Sequence, residues 1–322
     1  MTRQKIRINH RRRTDLFRFS IAVWFACLVV HVDVVTAQSP ITSLAFSVDN
    51  QRVIAGSQHG LMVMDWPRLV NKQVKSLDMD SLHDVSFSPD GRHLLIAGGS
   101  PGSVGVVQLR NWPDLELIRS WSEHQDVVYA IAWRADGQEW VSSSWDGYCR
   151  VCKIDATASH VTMKSHSGPV FAATYLSSGQ ITSAGADRTI VVWDPASGLP
   201  SKVLRQHTEA VHALAVQSAK RAKNGEPLLA SASEDRTVRF WQPSIGRMVR
   251  FQRFKSIPRS IAWIQDESGL LVGCDDGTVF QLDATTLSHQ EILHQGDSVM
   301  NLIIAIDGVA CLNEHSSIRK LE

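Results

Sequence analysis

The sequence predicts an all-β fold assembled from stacked repeats of about forty residues. Three observations carry this. A strand–turn–strand block recurs, clearest as ITSAGADRTIVVWD over residues 181–194 and LASASEDRTVRFWQ over 229–242. In each block a tight turn stands at Asp-Arg, and a Trp (Trp193, Trp241) follows six residues after the Asp (Asp187, Asp235). Apolar residues alternate with period two in LAF, IAW and LAV before the first turn and in VVW and RFW after the second, the pattern of antiparallel strands. The turn aspartates Asp146, Asp187, Asp235 and Asp276 are spaced 41, 48 and 41 residues apart. Such a unit cannot bury its own apolar face, but stacked copies can.

Seven units follow in order. The first opens at Ile41 (ITSLAFSVDN) and closes near Trp66, and the second carries DVSFSPDGRHLLIAGG over 84–99. The third carries VVYAIAWRADGQEWVSSSWDG over 127–147. Units four and five hold the two best blocks, and the longer step between them contains a polar insertion, SAKRAKNGEP over 218–227, that reads as a loop. Unit six carries SIAWIQDESGLLVGCDDGTVFQLD over 260–283, and unit seven is a degenerate tail over 299–322. Units one and two share DWPRL (65–69) and NWPDL (111–115), where Pro removes a ladder donor and marks the turn into an outer strand. No segment has the pattern of a long amphipathic helix.

The 322 residues are 43% hydrophobic, enough for an extensive core. Charge is uneven. Seven of the 33 Lys and Arg residues but only two of the 32 acidic ones precede residue 38, which leaves the rest at net −4. A mildly acidic body argues against a nucleic-acid partner, because phosphate binding needs clustered basic surface. The basic opening is followed by the uncharged run FSIAVWFACLVV over 19–30, shorter than a membrane span and of signal-peptide length. Val35-Thr36-Ala37 offers a cleavage site. Residues 1–37 therefore read as a signal peptide or an uncleaved N-terminal membrane anchor, with an exported or membrane-tethered body. Arg12-Arg13 lacks the apolar follower of a twin-arginine signal, and Cys27 lacks a lipoprotein box.

The motifs resemble the WD40 repeat family. The resemblance rests on Ser88-Pro89-Asp90-Gly91, on D-R-T-[IV] at Asp187 and Asp235, on D-G-T-V at Asp276 and on Trp193-Asp194, and it spans residues 41–322. It implies a seven-bladed β-propeller of four-stranded antiparallel blades over 38–322, with the last blade incomplete at Glu322. It also implies a hydrogen-bonded His–Ser–Asp–Trp set in each blade. Unit four has His166, Ser183, Asp187 and Trp193, and unit five has His207, Ser231, Asp235 and Trp241. Unit three keeps His124, Ser142 and Asp146 but has Cys152 at the Trp position. Elsewhere His59 and His315 occupy Asp positions and Leu282 a Trp position. Family members usually close the ring with a strand from the other terminus. Residues 30–37 (VHVDVVTA) are the candidate, and cleavage after Ala37 would remove it.

Other chemical motifs read as structure. Gly98-Gly99-Ser100-Pro101-Gly102 matches a nucleophile elbow, but a strand follows where that chemistry needs a helix. Cys149 and Cys152 lie three apart on a strand and so face opposite ways, unable to share a metal or a disulfide. Disulfides among Cys149, Cys152, Cys274 and Cys311 are open from sequence alone. The histidines recur with the repeat, and no metal, P-loop or dinucleotide pattern stands out. No cofactor and no small-molecule substrate is expected.

In the family's blade geometry, the residue early in the innermost strand and the one before the turn Asp face one rim. These are Tyr129, Trp145 and Phe171 on units three and four, His212 and Glu234 on five, and Arg259 and Asp275 on six. Exposed aromatics suit a protein or peptide ligand; rings packed into the funnel of the propeller are the alternative. The expected function is a non-catalytic interaction scaffold. Two other readings are an enzyme or cofactor-binding propeller using His212, Arg259 and Asp275 in the central channel, and a subunit whose partner carries the chemistry.

Overall fold

β-branched and aromatic residues in period two, punctuated by Asp and Gly turns, favour pleated strands over helix. The computed structural model describes residues 40–218, 226–294, 296–305, 308–313 and 317–321. Residues 1–39, most of the 218–227 insertion and His315 lie outside the described residues, and with them the apolar run 19–30 and the candidate strand 30–37. The described residues form seven antiparallel blades.

Blade 1 is β1 (Ile41–Phe46), β2 (Arg52–Ser57), β3 (Gly60–Asp65) and β4 (Val70–Lys75). Blade 2 is β5 (Ser81–Phe87), β6 (His93–Ser100), β7 (Val104–Asn111) and β8 (Leu117–His124). Blade 3 is β9 (Val128–Trp133), β10 (Glu139–Ser144), β11 (Tyr148–Lys153) and β12 (Val161–Lys164). Blade 4 is β13 (Val170–Tyr175), β14 (Ile181–Gly185), β15 (Ile190–Trp193) and β16 (Pro200–Leu204). Blade 5 is β17 (Val211–Val216), β18 (Leu229–Ser233), β19 (Thr237–Gln242) and β20 (Arg247–Arg253). Blade 6 is β21 (Pro258–Trp263), β22 (Gly269–Cys274), β23 (Thr278–Asp283) and β24 (His289–His294). Blade 7 has three strands among the described residues: β25 (Val299–Ala305), β26 (Gly308–Asn313) and β27 (Ile318–Leu321).

Each innermost strand packs on the next, and β25 packs back on β1, closing a ring around a central channel. The chain is thus a seven-bladed β-propeller, as the sequence predicted. The core lies between blades. One apolar cluster joins Ile41, Leu44 and Val53 of blade 1 to Ala310, Leu312 and Ile318 of blade 7 across the seam.

The repeated aspartates shape the turn between the second and third strands. Their carboxylates accept the amide N–H two residues on: Tyr148 (2.9 Å), Thr189 (3.1 Å), Thr237 (3.0 Å) and Thr278 (3.0 Å). The intervening residue takes positive φ, as Gly147 (85°), Arg188 (68°), Arg236 (64°) or Gly277 (84°). The segment after Pro101 and Gly102 is strand β7, so Ser100 ends a strand and no elbow forms. Cys149 and Cys152 enter different clusters on opposite faces of β11, and Cys149, Cys152 and Cys274 are free thiols. Among the described residues, no helix is long and apolar enough to cross a membrane.

Candidate functional site at the channel mouth

Two kinds of position recur from blade to blade, and only one of them keeps its residues, through blades 3 to 5. The first kind braces the strands. In blade 5, His207 Nδ1 lies 2.7 Å from Asp235, His207 Nε2 lies 2.7 Å from Ser231 Oγ, and Trp241 Nε1–H donates to Ser231 Oγ at 2.8 Å. Trp241, Ser231, His207 and Asp235 thus form one hydrogen-bonded chain, in which the indole N–H, the hydroxyl and both ring nitrogens have partners. Blade 4 repeats it through His166, Ser183, Asp187 and Trp193, with distances of 2.7–3.0 Å. Burial alone would raise the Asp187 pKa, but the His166 hydrogen bond and charge hold it down, to about 2. Asp235 is held low in the same way, against the same burial.

Blade 3 keeps His124–Asp146 (2.8 Å) and His124–Ser142 (2.8 Å) but has no Trp to donate to Ser142. Cys152 stands opposite Trp140 across the β10–β11 pair, where blade 4 has Ile181 opposite Trp193 and blade 5 has Leu229 opposite Trp241. The large ring has changed strands. A small void remains between Trp140, Ser142, His124 and Cys152, and Trp140 Nε1 is buried there with no partner.

The second kind of position is a β-bulge. Every innermost strand carries one after its first or second residue, at Thr42, His83, Tyr129, Phe171, His212, Arg259 and Met300. A bulge leaves its residue unpaired and re-aims the side chain. Five of the seven touch in sequence around the channel mouth. His83 stacks on Tyr129 at 4.7 Å, Tyr129 meets Phe171 at 5.5 Å, and Phe171 stacks on His212 at 4.9 Å. His212 Nε2 then lies 3.1 Å from Arg259 Nη1. Trp145 closes on Tyr129 (5.6 Å) and Phe171 (5.8 Å) from the neighbouring turn. Its amide donates to Val127 O at 3.1 Å, matched by Glu234 to Ala210 (2.9 Å) and Asp275 to Ile257 (2.9 Å). Trp145 is 45% exposed, whereas Tyr129 and Phe171 are half-buried. The rings therefore pack on one another and still present a face to solvent.

Beyond Phe171 the mouth turns polar. Glu234 Oε1 lies 2.9 Å from His212 Nε2 and accepts from Arg259 Nη1 at 3.2 Å. Burial would raise the Glu234 pKa, but His212 and Arg259 hold it below the usual range. Burial lowers the pKa values of His212 and His83, so both rings are neutral at pH 7. Asp275 stands outside this array, its carboxylate accepting the Ile257 amide at 2.8 Å. Sequence reasoning missed His83, although it occupies in unit two the register of Tyr129 in unit three. It also missed Asp84, a charge on an innermost strand. Asp84 accepts from Ser43 Oγ (3.2 Å) in blade 1 and from the Ile131 amide (2.9 Å) in blade 3, and burial raises its pKa to about 6. Among the described residues, no three His, Cys, Asp or Glu side chains group to hold a metal.

A seven-bladed propeller braced by a repeating His–Ser–Asp–Trp set defines a class of repeat protein. The family model described as WD domain, G-beta repeat matches residues 30–64, 115–153, 158–194 and 198–242, and the chain belongs to the WD40 repeat family. The last three matches each open just ahead of an outermost strand (β8, β12, β16) and end with the third strand of the next blade. The chain is 26% identical over 249 residues to periodic tryptophan protein 2 homolog of Dictyostelium discoideum, covering 74% of this chain and 26% of that one. It is 21% identical over 258 residues to a guanine nucleotide-binding protein subunit beta of Solanum tuberosum (79% and 58% covered). With the F-box-like/WD repeat-containing protein TBL1X of Mus musculus it shares 28% identity over 147 residues (45% and 26% covered). The chain thus spans from about a quarter to under three-fifths of these relatives.

Proposed function

We propose that the chain is a non-catalytic scaffold that docks a protein or peptide partner on the channel mouth. The observation that carries this reading is the contiguous, solvent-facing array of Tyr129, Trp145 and Phe171, extended by His83 and His212. Aromatic rings held rigid by one another are efficient anchors, because little side-chain entropy is left to lose on binding. A catalytic use of the mouth is disfavoured, since His212, Glu234 and Arg259 are committed to each other and Asp275 to a backbone amide. One relative, the guanine nucleotide-binding protein subunit beta, is named as a subunit, which agrees with docking. The reading includes no cofactor, no small-molecule substrate and no nucleic acid. In the test, Trp145→Ala weakens co-purification of the native partner about tenfold or more, a hot-spot effect, with an unchanged thermal melt. Undiminished capture by a folded Trp145→Ala protein contradicts the reading.

The proposal also takes the body to be exported or membrane-tethered through residues 19–30. The first family match begins at residue 30, which supports retention of residues 30–37 over cleavage after Ala37. Intact mass and membrane extraction of the native protein decide: a soluble chain starting at Gln38 refutes retention.

A further inference from the structure

The charge around the mouth is divided. The segments 76–80, 100–103, 125–127, 145–147 and 165–169, which lead into the innermost strands of blades 2 to 4 and form the turns of blades 2 and 3, contain no Lys or Arg. The matching turn of blade 4 carries Arg188, which lies 4.0 Å from Glu209. The five segments contribute Asp78, Asp80 and Asp126 instead, with Asp146 engaged by His124 in the brace. Asp80 accepts a hydrogen bond from Ser100, which fixes it beside the blade 2 turn. Asp126 is pinned by two amides, Gly102 N–H at 2.9 Å and Val127 N–H at 2.8 Å. Its charge reaches the neighbouring ring: burial first, and Asp126 second, raise the pKa of the Tyr129 phenol. Basic side chains of this end stand at Lys75 and Lys164, which close β4 and β12, and on blades 4 to 6 at Arg188, Arg205, Arg236, Arg253 and Lys255; Lys164 is set over the Tyr148 ring at 4.9 Å. Arg259, the one cation among the seven bulge residues, is already paired with Glu234.

We infer that the mouth over blades 2 to 4 recognises a cationic side chain, Lys or Arg, carried by the docked protein or peptide. This rests on the docking reading above and narrows it. A cation set against the faces of Tyr129 and Trp145 gains the ring quadrupole attraction and the field of Asp126. An anionic side chain meets the same carboxylates and finds no free cation among these segments. The two neutral histidines leave the preference in place at pH 7.

The experiment is calorimetric titration of the full chain with two blocked peptides, Ac-(Gly-Arg)3-NH2 and the same peptide with citrulline for Arg. Citrulline keeps shape and hydrogen bonding but removes the charge. The Arg peptide binds about tenfold or more tightly than its citrulline twin, a difference of the size cation–π contacts give. Trp145→Ala abolishes that difference and Trp145→Phe retains most of it. A thermal melt of each variant separates loss of binding from loss of fold. Equal affinity for both peptides, lost together in Trp145→Ala, overturns the cationic preference and leaves the docking reading standing. Arg-peptide binding that survives Trp145→Ala is nonspecific attraction to an acidic body and overturns the inference, as does no binding at millimolar peptide. In these last two cases the docking reading is decided by the co-purification test alone.

Discussion

The brace positions and the bulge positions of this propeller lie in the same strands and differ in one respect. His166 and His207, Ser183 and Ser231, Asp187 and Asp235, and Trp193 and Trp241 repeat the same chemistry at the same distances. The bulge residues are Thr42, His83, Tyr129, Phe171, His212, Arg259 and Met300, with almost no residue type repeated. The backbone event is common to all seven blades, so the fold does not dictate which side chain sits there. A position that repeats its residue is explained by the blade. A position that repeats its geometry but not its residue is free to be shaped by a ligand.

The largest effect expected from breaking this contrast is in a brace. Asp235→Ala strands His207, Thr237, Arg239 and two backbone amides, all bonded to that carboxylate. Removing one partner of a buried charge network costs about 3–5 kcal/mol. Chemical denaturation measures it, and a loss under about 1 kcal/mol, the range of an exposed substitution, refutes the brace.

The second effect sharpens the contrast within the braces. In blade 3 the Trp140–Cys152 pair inverts the Ile181–Trp193 pair of blade 4. Trp140→Ile opens a cavity and costs about 2–4 kcal/mol. Cys152→Trp overfills the void and costs about 1–3 kcal/mol. The double variant, which rebuilds the blade 4 arrangement and returns an indole N–H to Ser142, recovers most of both losses. Additive losses in the double-mutant cycle contradict the exchange of rings.

The smallest effect is in pH dependence, where the two kinds of aspartate act with opposite sign. The folded-state pKa of Asp187 is depressed to about 2, so its stabilisation is present above the unfolded value of about 3.9 and is lost as pH falls from there towards 2. Asp84 is raised to about 6, so its contribution is largest at low pH and declines as pH rises from about 4 through 6. Carboxyl NMR titration checks both: Asp84 titrates near pH 6, and Asp187 stays ionised at pH 4.

What the sequence disclosed follows from the same distinction. The braces in units three to five were legible because a repeat prints the same residue at a fixed spacing. The rim was legible only in part, through the geometry that the family resemblance supplied. A bulge is a fault in register between two strands, and alternation within one strand does not reveal it, so His83 went unnoticed. The Trp140–Cys152 exchange was hidden for the same reason, since it exists only across a strand pair. Asp84 was hidden because its partners stand 41 and 47 residues away in neighbouring blades.

The central claim is that the bulge ring, and not the flank of the propeller, meets the partner. The direct measurement is site-specific photo-crosslinking in the native source, with the photoreactive phenylalanine placed at Trp145 in one protein and at Leu199 in another. Leu199 is 65% exposed and lies in the turn leading to the outer strand of blade 4, so it controls for exposure alone. The account predicts one discrete crosslinked partner from position 145 and none from position 199. The same partner captured equally from both, or captured from 199 alone, would contradict it.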